Sequence, residues 1–174
     1  MCRSPFRVPR WALLLLVAVL SACGSGAATE ADRRLVLDGM IEEVRTAFPD
    51  VPTATPADVA QWLAADDVVL VDVRSDEERA VSTLPGALTA DDFEGRLEEL
   101  AGRRVVAYCT IGRRSAEYAE RMSELGVEVH NLEGSILAWT HDGGTLVADG
   151  QVTRELHVFG RRWDLAADGY RTTW

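Results

Sequence analysis

Lysine is absent from this 174-residue sequence, in which all 18 basic residues are arginine. Without lysine the chain cannot attach pyridoxal phosphate, form a Schiff base with a carbonyl substrate or build a P-loop. The acidic residues number 28, which gives a net charge of −10. Because a nucleic-acid partner demands a cationic surface, this balance argues against nucleic-acid binding.

Cysteine is also scarce, and two of the three cysteines lie in the first 23 residues. Residues 1–22 combine a basic leader with an apolar run at 11–20, which is shorter than the roughly 20 residues of a membrane-spanning helix. The stretch LSAC ends at Cys23 and resembles the lipobox of bacterial lipoproteins. We therefore predict a signal peptide at 1–22, a lipid anchor on Cys23, a tether at 23–30 and a location on the extracytoplasmic face of a bacterial membrane. A cleaved secretory signal without lipid is the alternative.

Cys109 is the one thiol left free if Cys2 is removed with the signal and Cys23 is acylated. No intramolecular disulfide can then form, although export would place the protein in an oxidising compartment. A lone cysteine is either a small apolar residue of the core or a reactive group. The residues around Cys109 decide between these two interpretations.

The hydrophobic pattern predicts strands that alternate with helices, and hence an α/β fold with a parallel sheet covered on both faces. The apolar runs VVLVDV and VVAY are typical of buried strands. The predicted strands are 68–73, 105–108 and 127–132, with a short one after 84–87. The predicted helices are 31–48, 55–65, a short one from Ser75, 91–100, 115–125 and 134–141. A hairpin is predicted at 146–152, centred on an Asp-Gly pair.

Cys109 lies where the strand 105–108 ends and the helix from Ser115 begins. Parallel sheets bind ligands beyond the carboxyl ends of their strands, and a tight turn into a helix directs backbone N–H groups inward. Gly112 supplies the backbone freedom for this turn. We therefore predict a depressed pKa for the Cys109 thiol. Arg113 and Arg114 are expected to attract anionic substrates.

Four motifs follow one another in an order that resembles the rhodanese superfamily of sulfurtransferases over about residues 54–147. They are LVDVRSDEE (70–78), LPGA (84–87), VVAYCTIGRRS (105–115) and VHNLEGSILAW (129–139). The resemblance implies a rhodanese-like three-layer fold, with a central parallel five-stranded sheet and helices on both faces. It also implies that Cys109 carries sulfane sulfur as a persulfide, from a donor anion such as thiosulfate to a thiophilic acceptor such as cyanide or a thiol. It implies neither a cofactor nor a metal.

The resemblance assigns the active-site loop and three supporting residues. The loop residues expected to bind substrate are Thr110, Ile111, Gly112, Arg113, Arg114 and Ser115. Asp72 and Arg74 are expected to brace the loop, and Glu133 to accept loop N–H groups or to cap the next helix. The charged run 76–79 is expected to be a solvated first helical turn. The chain departs from the family pattern at Ser82-Thr83, where many members have Gly-His, and at Ser135, where many have a second glycine.

Two other functions stay open. One is a noncatalytic binding module or sulfur carrier that presents its loop to a protein partner. The other is a phosphatase or arsenate reductase, which in related proteins carries a loop one residue longer with the pattern C-x5-R. Position 115 here is serine. Outside the domain, residues 31–53 are predicted to form a helical extension and 148–174 an extension that packs on the sheet or docks a partner.

Overall fold

The computed structural model describes residues 28–174. The predicted signal peptide and Cys23 lie outside these residues. Within residues 28–174, none of the helices has both the length and the apolar character needed to span a membrane.

A parallel five-stranded sheet forms the centre of the molecule, in the strand order β1-β5-β4-β2-β3. Its strands are β1 (Thr53–Ala54), β2 (Val69–Asp72), β3 (Leu88–Thr89), β4 (Val105–Tyr108) and β5 (His130–Leu132). Both central strands, β2 and β4, are buried along their whole length and pair in register, with Val71 opposite Ala107. This confirms the predicted sheet.

Six α-helices surround the sheet within residues 28–174. They are α1 (Glu30–Ala47), α2 (Pro56–Ala64), α3 (Asp76–Val81), α4 (Ala90–Glu94), α5 (Arg113–Glu124) and α6 (Ser135–His141). Capping boxes at Thr29, Thr55 and Ser75 start α1, α2 and α3, because each hydroxyl accepts the N–H of the residue three positions on.

Alternate residues of β2 contact two separate hydrophobic clusters, which shows that helices cover both faces of the sheet. Leu70 belongs to a cluster with residues of α1, α2 and α6. Val69 and Val71 belong to a cluster with residues of α4 and α5, among them Phe93 and Met122. Successive side chains of a strand point to opposite faces, so the molecule has three layers, as predicted.

Several predicted boundaries are wrong by two or more residues. The helix predicted at 91–100 ends at Glu94, and Leu97 and Leu100 pack against the sheet from the turns that follow. The helix-like spacing of these two leucines therefore comes from burial in successive turns and not from a continuous helix. The strand predicted at 127–132 spans only His130–Leu132, and α5 begins at Arg113 rather than Ser115.

The N-terminal helix begins inside the predicted tether, since Thr29 caps it and Glu30 is its first residue. Val36 of this helix is 48% exposed, whereas the neighbouring Leu37 is fully buried. The buried face is therefore centred on Leu37, which packs in the same cluster as the core residues of α6.

The C-terminal residues pack into the core. They form the hairpin β6 (Leu146–Ala148) and β7 (Gln151–Thr153), and the parallel pair β8 (Glu155–His157) and β9 (Arg171–Thr173). Asp149 and Gly150 both adopt positive φ at the hairpin turn, as the Asp-Gly signal predicts. Leu156, Val158 and Leu165 join the hydrophobic cluster that contains Leu70. This segment is therefore part of the folded unit.

Candidate active site

Cys109 directly follows β4, and its sulfur lies at the turn into α5. The N–H of Gly112 donates a hydrogen bond to Cys109 Sγ over 3.2 Å. Gly112 has a φ of +116°, and a Cβ atom there would lie 3.3 Å from the side-chain nitrogen of Asn131. A side chain at position 112 would therefore strain the turn that directs this amide toward the sulfur.

The pKa of the Cys109 thiol is lower than that of an ordinary cysteine. Burial by itself would raise this pKa, because the sulfur is removed from water and the residue is only 1% exposed. The positive charge of Arg114 and hydrogen bonds from the backbone amides of Ser115 and Gly112 outweigh the burial. The thiolate, which is the nucleophilic form of cysteine, therefore forms more readily here than on an ordinary cysteine.

The first turn of α6 holds the backbone of Cys109 in place. Ser135 Oγ accepts the Cys109 N–H over 3.0 Å. The N–H of Ile136 donates to the Cys109 carbonyl over 3.2 Å, and that of Leu137 to the Thr110 carbonyl over 3.3 Å. Both the N–H and the carbonyl of Cys109 are thus hydrogen-bonded to α6.

A buried carboxylate fixes Arg114 beside the thiol. The Arg114 guanidinium donates to both oxygens of Glu78, over 2.7 and 2.8 Å, and to Thr110 Oγ1 over 3.0 Å. Thr110 Oγ1 in turn donates to Glu78 over 3.1 Å, as does the Ser75 N–H. Burial would raise the pKa of Glu78, but the bonds from Arg114, Ser75 and Thr110 lower it to about 2. Glu78 is therefore ionised near neutral pH.

A second ion pair is buried at the carboxyl end of β2. Arg74 Nη2 and Asp72 Oδ2 are 2.7 Å apart, and both side chains are almost fully buried. Tyr108, the residue before Cys109, donates its hydroxyl proton to Asp72 over 2.6 Å and accepts the Leu84 N–H over 3.0 Å. Burial raises the pKa of Tyr108 well above its ordinary value, so this hydroxyl keeps its proton. Asp72 and Arg74 thus brace the end of β4.

The sequence model of the rhodanese-like domain family matches residues 55–142, just over half of the chain. The chain belongs to the rhodanese-like family. The loop that carries Cys109 lies within the matched residues, as do the strands β2 to β5 of the central sheet.

Similar proteins come from two other comparisons. The tRNA uridine(34) hydroxylase of Cupriavidus taiwanensis is 38% identical over 109 residues, which cover 53% of this chain and 39% of that protein. The enzyme of the same name from Ralstonia nicotianae is 32% identical over 133 residues, which cover 67% and 46%. This rhodanese-like chain thus spans less than half the length of these relatives. The crystal structure of thiosulfate sulfurtransferase from Pseudomonas aeruginosa superposes with a TM-score of 0.54 at 24% identity, and covers 73% of this chain and 25% of that one.

The structure brings most of the predicted loop residues of the rhodanese-like site around the thiol, but not all of them. Arg114 and Ser115 contribute to the thiol environment, as described above. Arg113 instead lies 62% exposed and pairs with Glu117, one turn further along α5, over 3.3 Å. Ile111 packs against the hydrophobic core. Its apolar side chain therefore anchors the loop.

The role predicted for Glu133 is wrong. Its carboxylate accepts a hydrogen bond from Arg45 of α1 over 2.8 Å. The N-cap residue of α6 is Gly134, and no side chain caps this helix. A Cβ atom on Gly134 would lie 2.6 Å from Ala138 Cβ of α6 and 2.7 Å from Ile41 Cδ1 of α1, so there is no room for a side chain at this position. Glu133 therefore ties α1 to the domain.

Four residues of the site were not predicted from the sequence, namely Glu78, Tyr108, Asn131 and Ser135. Glu78 was expected to be solvated within its charged run, yet its side chain is only 3% exposed. The capping box at Ser75 was a usable signal, because it turns the Glu78 side chain back toward the helix start. Residues 28–174 contain no group of three or more His, Cys, Asp or Glu side chains that could hold a metal ion.

Replacing Glu78 with glutamine is expected to change the pH dependence of stability. The folded-state pKa of about 2 lies below the ordinary value of 4.5, so the Glu78 carboxylate stabilises the fold above pH 4.5. This contribution is lost as the pH falls from 4.5 toward 2. We expect Glu78→Gln to cost about 2 kcal/mol at pH 7 and progressively less in acid.

Urea unfolding of both proteins between pH 7 and pH 2 measures this effect. The exposed Glu98→Gln variant is the matched control and is expected to follow the wild type at every pH. A constant difference between the Glu78→Gln variant and the wild type across this range would contradict the prediction.

Proposed function

We propose that this protein is a sulfurtransferase that carries sulfane sulfur as a persulfide on Cys109. The observation that carries the proposal is the position of Cys109 Sγ, which accepts the Gly112 N–H at a strand-to-helix turn beside the cationic Arg114. These groups lower the pKa of the thiol and would also stabilise the anionic persulfide.

The reaction has two half-reactions. In the first, the Cys109 thiolate attacks the outer sulfur of a donor such as thiosulfate. A bond forms between Sγ and that sulfur, the sulfur–sulfur bond of thiosulfate breaks, and sulfite leaves with the bonding electron pair. In the second, an acceptor such as cyanide attacks the outer sulfur of the persulfide, which yields thiocyanate and regenerates the Cys109 thiolate.

Access to the thiol requires a side-chain movement, because Cys109 is 1% exposed. Arg114 is the candidate, since a third of its side chain is exposed while its guanidinium is held by Glu78. A donor anion that competes with Glu78 for Arg114 would be drawn to the sulfur and would open the way to it.

The same burial supports a second candidate, a sulfur carrier that exchanges its persulfide with a protein partner. In that case the loop would open only when the partner docks. A carrier would acquire a persulfide but turn over small donors and acceptors very slowly.

The activity in the names of the tRNA uridine(34) hydroxylases is not proposed for this chain. Residues 28–174 hold 15 arginines, since Arg3, Arg7 and Arg10 precede them, against 28 acidic residues, a net charge of −13. Such a surface repels a phosphate backbone. The chain also spans only 39% and 46% of the two relatives described above.

Intact-mass measurement of the purified protein tests the proposal. After incubation with thiosulfate we expect a gain of one sulfur atom, which cyanide removes with the release of thiocyanate in repeated turnovers. A stable persulfide that cyanide does not remove would favour the carrier. Absence of the persulfide, together with hydrolysis of an aryl phosphate, would overturn the proposal in favour of a phosphatase.

A further inference from the structure

Ser135 combines a strained backbone with complete burial. It is the first residue of α6, it has a φ of +49°, and none of its surface is exposed. Glycine would adopt this conformation without strain, whereas a residue with a side chain adopts it at a cost. Such strain persists where surrounding contacts hold it, so the contacts of the Ser135 hydroxyl are informative.

The hydroxyl oxygen of Ser135 has one clear role, because it accepts the Cys109 N–H over 3.0 Å. Its proton has no short acceptor. The three nearest acceptors are the Leu132 carbonyl at 3.3 Å, Ser115 Oγ at 3.4 Å and Cys109 Sγ at 4.0 Å. Ser115 has already given its own proton to Asn131 Oδ1, over 2.7 Å. The Ser135 hydroxyl can therefore rotate so that its proton points to whichever of these three acceptors binds it most strongly.

A charged acceptor is the strongest of these three, since hydrogen bonds to ionised groups are shorter and stronger than those between neutral groups. Sγ carries a full negative charge as the thiolate, and a persulfide on Cys109 would carry its charge one sulfur further on. We propose that Ser135 is a positioning residue that holds the Cys109 amide and turns its hydroxyl proton toward the sulfur whenever the sulfur is anionic. The persulfide part of this role rests on the proposed function, but the thiolate part does not.

Two variants of the full-length chain separate the hydroxyl from the strained backbone. Ser135→Gly removes the hydroxyl and relieves the strain, whereas Ser135→Ala removes the hydroxyl and keeps the strain. The rate of Cys109 alkylation by iodoacetamide, measured against pH, reports the thiol pKa. We expect both variants to raise this pKa by about one unit, which slows alkylation below the pKa roughly tenfold.

Stability should change differently from reactivity. We expect Ser135→Gly to melt at or above the temperature of the wild type, and Ser135→Ala to melt below that of Ser135→Gly. Thr140→Ala is the matched control, because Thr140 is a buried hydroxyl residue on the same helix that bonds the Leu137 carbonyl over 2.7 Å. It should lower the melting temperature without changing the alkylation profile.

A wild-type alkylation profile in Ser135→Gly would overturn the proposal, and so would an equal pKa shift in Thr140→Ala. Should Ser135→Ala fail to fold, the glycine variant still decides. Alkylation needs no sulfur donor, so a wild type that forms no persulfide would refute the proposed function and leave the test of Ser135 intact.

Discussion

Cys109→Ser is expected to lose persulfide formation completely and to reduce transfer from thiosulfate to cyanide to the uncatalysed background. Serine fits the space of cysteine and can accept the same Gly112 N–H, but its hydroxyl is not ionised near neutral pH and cannot hold a sulfane sulfur. The expected loss in rate is on the order of 10⁴ or more, as for the removal of a catalytic nucleophile. Intact-mass measurement checks the loss of the persulfide, and the rate of thiocyanate production checks the loss of transfer.

Arg113→Gln is the matched control for this experiment, because Arg113 belongs to the same loop but lies 62% exposed and pairs with Glu117. It is expected to keep at least about half of the wild-type rate, since exposed ion pairs contribute little. Equal melting temperatures would show that Cys109→Ser is folded. Transfer that persists in a folded Cys109→Ser protein would contradict the assignment of the nucleophile.

The central sheet and the position of the nucleophile could be predicted because their signals are local. The runs VVLVDV and VVAY are almost wholly apolar, which is typical of a buried parallel strand. The hydroxyl caps at Thr55 and Ser75 mark the starts of α2 and α3 within four residues of sequence. The place of Cys109 at the carboxyl end of β4 follows from the strand alone.

The partners of the loop residues could not be predicted, because each is distant in sequence. Glu78 is 36 residues from Arg114, and Ser135 is 26 residues from Cys109. Glu133 was predicted to accept loop N–H groups or to cap α6, but α1 brings Arg45 to it across 88 residues. The sequence pattern indicates that a charged residue lies near the site. Which side chain pairs with that residue depends on how the helices pack.

Arg74→Met is expected to cause a larger loss of stability than Glu78→Gln. Arg74 is held against Asp72 and its guanidinium also donates to the Ser82 carbonyl, all in the interior. Removal of the guanidinium leaves the Asp72 carboxylate buried without a cation, which costs about 3–5 kcal/mol. This is a large part of the roughly 5–15 kcal/mol that stabilises a domain. Urea unfolding at pH 7 measures the loss.

A double-mutant cycle with Asp72→Asn shows whether the loss comes from the unpaired charge or from lost packing. Each single variant leaves one buried charge without its partner, whereas the double variant contains neither charge. The double variant should therefore lose less free energy of unfolding than the sum of the two single losses. Strictly additive losses would show that packing alone dominates.

The same three variants should also change the alkylation rate of Cys109, because Tyr108 binds Asp72 and immediately precedes Cys109. The single variants should disturb this rate more than the double variant does, which would tie the buried ion pair to the geometry of the nucleophile.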